Sequence, residues 1–384
     1  MSNYSDISLT WFGDVTSNTG QAQYARALLE PLIKNGAHVK IEPVNSGATQ
    51  ADLQPFWHEV IPRSIRNQPG IVKISHCQPK QATPNIFGGP SILLAHWDTL
   101  GVPVSWVEDI NKNFTQLWTS NMAAVTTGVK DIKIPTDYIP MPVEADTVGD
   151  VAELVDVTPQ TTVFGFTGPW DNRSNISDLV IAYCAEFSVK DDVALVLKTG
   201  GKNPADPNTR NQILGLIRDL KKTLNKPNLP PVVVLQDQFS QNAMDAIIRR
   251  FNIYVSTSRG QSVNVTLTKC LAMGKQCIAP NAGPMYDYAN TIESPLMYPI
   301  RYFSEPVIQM GEAGNPADRW IRPDLHDTMS SMRRAYFNRL IKKQEKASQK
   351  LTENMLSLYG SDVIVERLAG MVRNVMPFKV KTLA

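Results

Sequence analysis

Residues 255–280 read VSTSRGQSVNVTLTKCLAMGKQCIAP. The β-branched and aromatic residues within 252–256 predict a strand, broken at Ser258-Arg259-Gly260. A helix is predicted from Val265 to Met273. Gly274 stops it, and a second apolar strand follows from Gln276 to Ala279. This strand-loop-helix-strand unit belongs to a parallel sheet. Its loop falls at the carboxyl end of a strand and leads into a helix N-terminus. Ligands of open α/β sheets bind there, and the free backbone N–H groups favour an anion.

Working outward, the same alternation recurs along the chain. Ser8 to Phe12 predicts a first strand, followed by a loop of small and turn-forming residues from Gly13 to Gly20. A helix over Gln21 to Asn35 carries Ala25, Leu28, Leu29, Leu32 and Ile33 at i, i+3, i+4 spacing, and Gly36 closes it. Buried strands are predicted at Gly70 to Ser75 and at Ser91 to Ala95, ending on His76 and His96. Each histidine has two readings, a hydrogen-bonded structural group or a catalytic one facing a cleft. Further strands are expected at Leu117 to Ser120, Thr162 to Phe166, Val193 to Lys198 and Val232 to Leu235. Helices are expected at 176–187, 211–224, 242–251 and 362–376. The weakly acidic stretch from Glu144 to Asp156 reads as an interdomain linker.

The chain has 384 residues, 42% apolar and 19% charged, which fits two globular domains. No apolar run approaches the ~20 residues of a membrane helix. The N-terminus lacks a basic region followed by an apolar stretch, so no signal peptide and a cytoplasmic location are expected. Cys77, Cys184, Cys270 and Cys277 stand singly, without metal-ligand spacing, and read as reduced buried thiols. A net charge of +2 does not by itself imply nucleic acid. One local exception is the predicted helix from Ser331 to Lys350. It carries Arg333, Arg334, Arg339, Lys342, Lys343, Lys346 and Lys350 against one acid, Glu345. It reads either as a solvated face or as a surface for a polyanion.

The opening stretch resembles the donor-binding segment of family-4-type retaining glycosyltransferases with the GT-B fold, S-R-G-E-G-[FW]-G-x-P-x-x-E-A-M-A-x-G-x-P-V-I-A. Ser258, Arg259, Gly260, Ala272, Gly274, Ile278 and Ala279 match. The two glutamates of the motif are replaced by Gln261 and Lys269, and Ser262, Val263 and Asn264 follow the first. Near the N-terminus, Gly20, Tyr24, Ala25, Arg26, Leu28, Leu32, Gly36 and Val39 resemble the family's glycine-loop motif. Only one loop glycine is left, and no G-x-G-x-x-G occurs. Trp97, Thr99, Pro103, Trp106, Val107, Glu108, Asn111, Trp118 and Ser120 match one branch of the family in order. Asp98 stands where that branch has Glu. Of the family's phosphate cations after the first strand of the second domain, Arg173 is present, whereas Phe166 and Ser174 replace the others.

The resemblance implies two Rossmann-like domains facing a cleft. Residues 1–150 form the acceptor side, 151–350 the donor side, and 351–384 a helix crossing back to the first domain. It implies transfer of a sugar from a nucleotide-sugar, expected to be UDP-linked, to an acceptor hydroxyl with retention. No metal or other cofactor is expected. Arg173, Arg259 and Lys198, with Gly20, Gly260, Gln261, Ser262, Asn264 and Lys269, are the expected donor contacts, and His96 and Asp98 the catalytic candidates. An ammonium at 269 only donates, unlike the carboxylate it replaces, so it either meets phosphate or marks an atypical or absent donor. Two alternatives stay open: a transferase acting on hydroxylated bases of DNA, suggested by the basic helix, and a catalytically silent partner subunit, suggested by the lost glutamates.

Overall fold

The computed structural model describes residues 3–44, 50–82, 88–145, 149–154, 157–199, 207–226, 228–307, 317–339 and 344–376. Lys342 and Lys343 lie outside them, as do parts of the linker expected over Glu144 to Asp156.

Runs of apolar residues buried on both faces make two six-stranded parallel sheets. The first contains β1 (Ser8–Gly13), β2 (His38–Pro43), β3 (Val72–His76), β4 (Ser91–Leu94), β5 (Gln116–Thr119) and β6 (Thr136–Tyr138), in the order β2-β1-β3-β4-β5-β6. Its helices are α1 (Gly20–Lys34), α2 (Pro55–Ile65), α3 (Val104–Asn113) and α4 (Met122–Thr127). The second sheet contains β7 (Thr162–Thr167), β8 (Val193–Lys198), β9 (Val232–Leu235), β10 (Ile253–Val255), β11 (Gln276–Pro280) and β12 (Met297–Ile300), in the order β12-β11-β10-β7-β8-β9. Around it lie α5 (Ile176–Glu186), α6 (Pro207–Thr223), α7 (Gln241–Arg250), α8 (Val265–Ala272) and α9 (Gly283–Thr291). An antiparallel hairpin follows, β13 (Tyr302–Pro306) with β14 (Arg319–Pro323), and then α10 (Leu325–Asn338), α11 (Gln344–Tyr359) and α12 (Ser361–Val375).

Local chemistry sets the ends of the two helices that matter most. Thr19 caps α1 by accepting the Ala22 N–H at 3.2 Å. Asn264 caps α8 by accepting the Leu267 N–H at 2.9 Å. At the other end of α8, Gly274 adopts φ +67°. Its N–H reaches the Leu271 carbonyl and the Lys275 N–H the Cys270 carbonyl, both at 2.9 Å, closing a Schellman motif.

The chain passes between domains twice, side by side. The Val143 N–H donates to the Tyr359 carbonyl at 2.8 Å, and the Ser361 N–H donates to the Val143 carbonyl at 3.0 Å. α11 packs on α8 and α12 on α1, so the return to the first domain is made at Gly360 rather than at residue 351. Arg373 of α12 fastens to Asp6 at 2.7 Å.

The basic segment differs from the sequence expectation. It is not one helix: α10 ends at Asn338 and α11 starts at Gln344. Arg333 is held by Glu186 and Asp191, both at 2.7 Å, and stacks on Phe187. Arg334 bonds Ser331, and Arg339 bonds Thr162 and the Gln160 carbonyl. Arg333 and Arg339 fasten α10 to the second domain, whereas Arg334 is exposed and bonds within its own helix, and of the described lysines here Lys346 and Lys350 are exposed. Among the described residues no helix is long and apolar enough to cross a membrane.

Candidate functional site

In both sheets the strand order reverses beside the first strand, between β1 and β3 and between β7 and β10. The loops leaving β1, β7 and β10 therefore open at switch points, where crevices form. The two domains bring these loops together. Gly20, at the start of α1, lies so near Val265, at the start of α8, that a Cβ on it would stand 3.6 Å from Val265 Cγ2. Two helix N-termini, each a source of partial positive charge, thus face one space.

That space is a cavity of about 530 Å³. Gly20, Gly168, Arg173, Lys198, Phe239, Gln261, Asn264, Thr266 and Lys269 line it, among others. The Lys198 ammonium sits 5.6 Å above the Phe239 ring and makes no hydrogen bond among the described residues. Burial lowers its pKa, opposed by the charge of Asp237. Lys269 instead gives its proton-rich head to Asp245 at 2.6 Å, and Gln241 also donates to that carboxylate, at 3.0 Å. The lysine that replaces an expected carboxylate has thus gained one from α7.

A second cavity, of about 260 Å³, adjoins the first at Gln261 and Asn264. Trp97, Asp98, Thr99, Asn121, Tyr286 and Tyr302 are among its walls. Between the two runs the pair of Arg173 and Asp98, with Nε 3.5 Å from Oδ2. Arg173 also donates to the Gly260 carbonyl at 3.1 Å. Protein atoms crowd Asp98 although a third of its side-chain surface still opens to the cavity. Burial raises its pKa, while Arg173 and the Ser262 N–H lower it.

The structure sorts the predicted residues. Gly20, Arg173, Lys198, Gln261, Asn264 and Lys269 share the larger cavity. Asp98, Arg259, Gly260 and Ser262 line the smaller one. Asn264 is occupied as the α8 cap, with its amide nitrogen on Gln261 Oε1 at 2.6 Å. The Ser262 carbonyl accepts from Ser120 Oγ at 2.7 Å and from Asn121 at 3.1 Å, bonds that join the domains.

Two assignments need correction. His96 does not face the cleft. It is buried, with Nε2 2.8 Å from His76 Nε2, Nδ1 3.1 Å from Ser120 Oγ, and Tyr24 edge-on to its ring. Burial pushes its pKa well down, and it lines neither cavity of the cleft. The structural reading of this histidine therefore holds. Arg259 does not join Arg173 on one anion in this conformation. Its guanidinium bonds Glu305 of β13 and Asn175, and lies 5.5 Å from the Trp320 ring. It pins the β13–β14 hairpin to the loop.

One further contact joins the domains. Asp287 accepts the N–H groups of Met122 at 2.6 Å and Ala123 at 3.0 Å, at the start of α4. Burial raises this carboxyl to about 6, although both N–H bonds act the other way. A carboxyl raised on folding takes up a proton, so its contribution is largest in acid and declines as pH rises from about 4 to 6. In urea unfolding, the stability of Asp287→Asn relative to wild type is expected to rise by roughly 2–3 kcal/mol between about pH 4 and 7. A difference that is flat with pH would remove Asp287 as its source.

No family model and no curated protein matches the sequence. Solved structures do match its fold over nearly its full length. Sucrose-phosphate synthase from Thermosynechococcus elongatus aligns with a TM-score of 0.61 at 15% identity, covering 95% of this chain and 98% of its own. The UDP-forming α,α-trehalose-phosphate synthase from Burkholderia xenovorans aligns with a TM-score of 0.64 at 12% identity, covering 96% and 99%. Anabaena HepE, solved with UDP and glucose, aligns with a TM-score of 0.54 at 12% identity, covering 96% and 100%. The chain has the GT-B fold of these glycosyltransferases.

Proposed function

We propose that the protein transfers a sugar from a nucleoside-diphosphate donor to an acceptor hydroxyl, with retention. The observation that carries this is the larger cavity, where two helix N-termini, the half-buried ammonium of Lys198 and the guanidinium of Arg173 converge. Such a site suits a diphosphate whose negative charge grows as it leaves. The sugar then points past Gln261 toward the smaller cavity, where the acceptor enters beside Asp98. Gln261 both donates and accepts, which suits sugar hydroxyls. A UDP-linked donor is favoured because one of the similar proteins is a UDP-forming synthase and another was solved with UDP and glucose.

The charges of this site come from the chain, and the departing diphosphate is the proton acceptor for the acceptor hydroxyl. The residues present supply positioning and charge neutralisation. The DNA-directed alternative draws less from the basic segment than its charge suggests, since Arg333 and Arg339 are engaged within the second domain.

A panel of nucleotide-sugars tests the proposal by thermal shift and product formation. One donor class is expected to stabilise the protein by about 2.7 kcal/mol when present at about 100 times its Kd. Silence across the whole panel would leave the partner-subunit reading in its place.

A further inference from the structure

Of the cations lining the larger cavity, Lys269 is already paired with Asp245, and Lys198 and Arg173 differ in one respect. Lys198 has no carboxylate in hydrogen-bond contact among the described residues, whereas Arg173 already has a counter-ion, Asp98, supplied by the opposite domain. Asp98 reaches it because the backbone there is pressed against the donor loop. The Asp98 carbonyl lies over Gly260, where a Cβ would stand 1.7 Å from its oxygen. One guanidinium cannot fully satisfy that carboxylate and a phosphate together, since both draw on the same few N–H groups.

On the reading of the larger cavity as a diphosphate site, we infer that Asp98 is a positioning residue that sets donor affinity. Its carboxylate pairs with Arg173 across the two domains and helps hold them together. The incoming diphosphate displaces it. Asp98 then loses its counter-ion and turns wholly to the smaller cavity, free to accept a hydrogen bond from the acceptor. Donor binding and preparation of the acceptor side are thereby one exchange of ion pairs. The exchange costs affinity, because the donor must displace a carboxylate as well as water.

The test is a titration of UDP into the full chain and into Asp98→Asn, Arg173→Gln and the double variant. Asp98→Asn is expected to bind UDP roughly threefold to tenfold more tightly, the scale of one partly exposed ion pair. The gain is expected to vanish in the Arg173→Gln background, because there is no longer a cation to free. A merely structural role for Asp98 predicts the opposite sign, since a loosened cleft weakens UDP. UDP binding that is unchanged or weaker in Asp98→Asn overturns this inference and leaves the diphosphate site standing. No binding by any of the four proteins, to UDP or to the other nucleoside diphosphates, overturns that site and this inference with it.

Discussion

Replacing Gly260 by alanine is expected to lower kcat/KM by about 10²-fold, the loss typical of reacting groups displaced by ~1 Å. The added Cβ would overlap the carbonyl oxygen of Asp98 and stand 2.6 Å from its carbonyl carbon. Both obstacles are backbone, so no rotamer relieves them and the domains must part. Small-angle scattering is expected to report a larger radius of gyration for the variant. Far-UV dichroism is expected to be unchanged, because each sheet keeps its own core. An active variant of unchanged radius would mean that the two loops do not meet in solution.

Arg173→Ala is expected to be the most damaging single change of charge, at roughly 10²–10³-fold in kcat/KM, the scale of losing one preorganised donor to a developing anion. It removes the proposed phosphate cation and leaves Asp98 unpaired beside Asp171. Lys198→Met keeps the stem over Phe239 and removes only the head, so a loss of roughly 10-fold to 10²-fold is expected. Arg259→Ala is expected to act differently. Its guanidinium holds Glu305 and Asn175, so the variant loses stability more than donor affinity. Steady-state kinetics beside thermal unfolding of the three variants separates these outcomes.

The parallel strands and their crossover helices were legible because their signals are local. Apolar runs mark strands buried on both faces, and Asn264 and Gly274 bracket α8 within a few residues of chain. Elements with weak local signals were not. β12 contains Pro299 at a sheet edge, and α2 contains two prolines. The hairpin of β13 and β14 joins strands separated by a segment partly outside the described residues. The site was legible as a set of residue types and less so as a set of partners. Lys269 was read as an awkward replacement, and only the fold shows Asp245, 24 residues away in the chain, supplying its carboxylate. His96 was placed in the cleft by its position after a strand, and the fold turns its ring inward onto His76, 20 residues away in the chain. Side-chain direction at a strand end depends on which neighbour has room, and no spacing rule encodes that.

The same distinction explains the basic segment. Seven cations around one acid suggested an outward face, yet Arg333 draws its two acids from α5 and the loop after it. Charge patterning along one helix does not reveal acids supplied by another element.

The account stands on a diphosphate lying between Arg173 and Lys198 at the starts of α1 and α8. Crystals of the protein grown with saturating UDP test this most directly. Phosphate oxygens are expected within hydrogen-bond distance of both side chains, with Asp98 withdrawn from Arg173. UDP bound at any other place, or a cleft left empty at saturation, would contradict it.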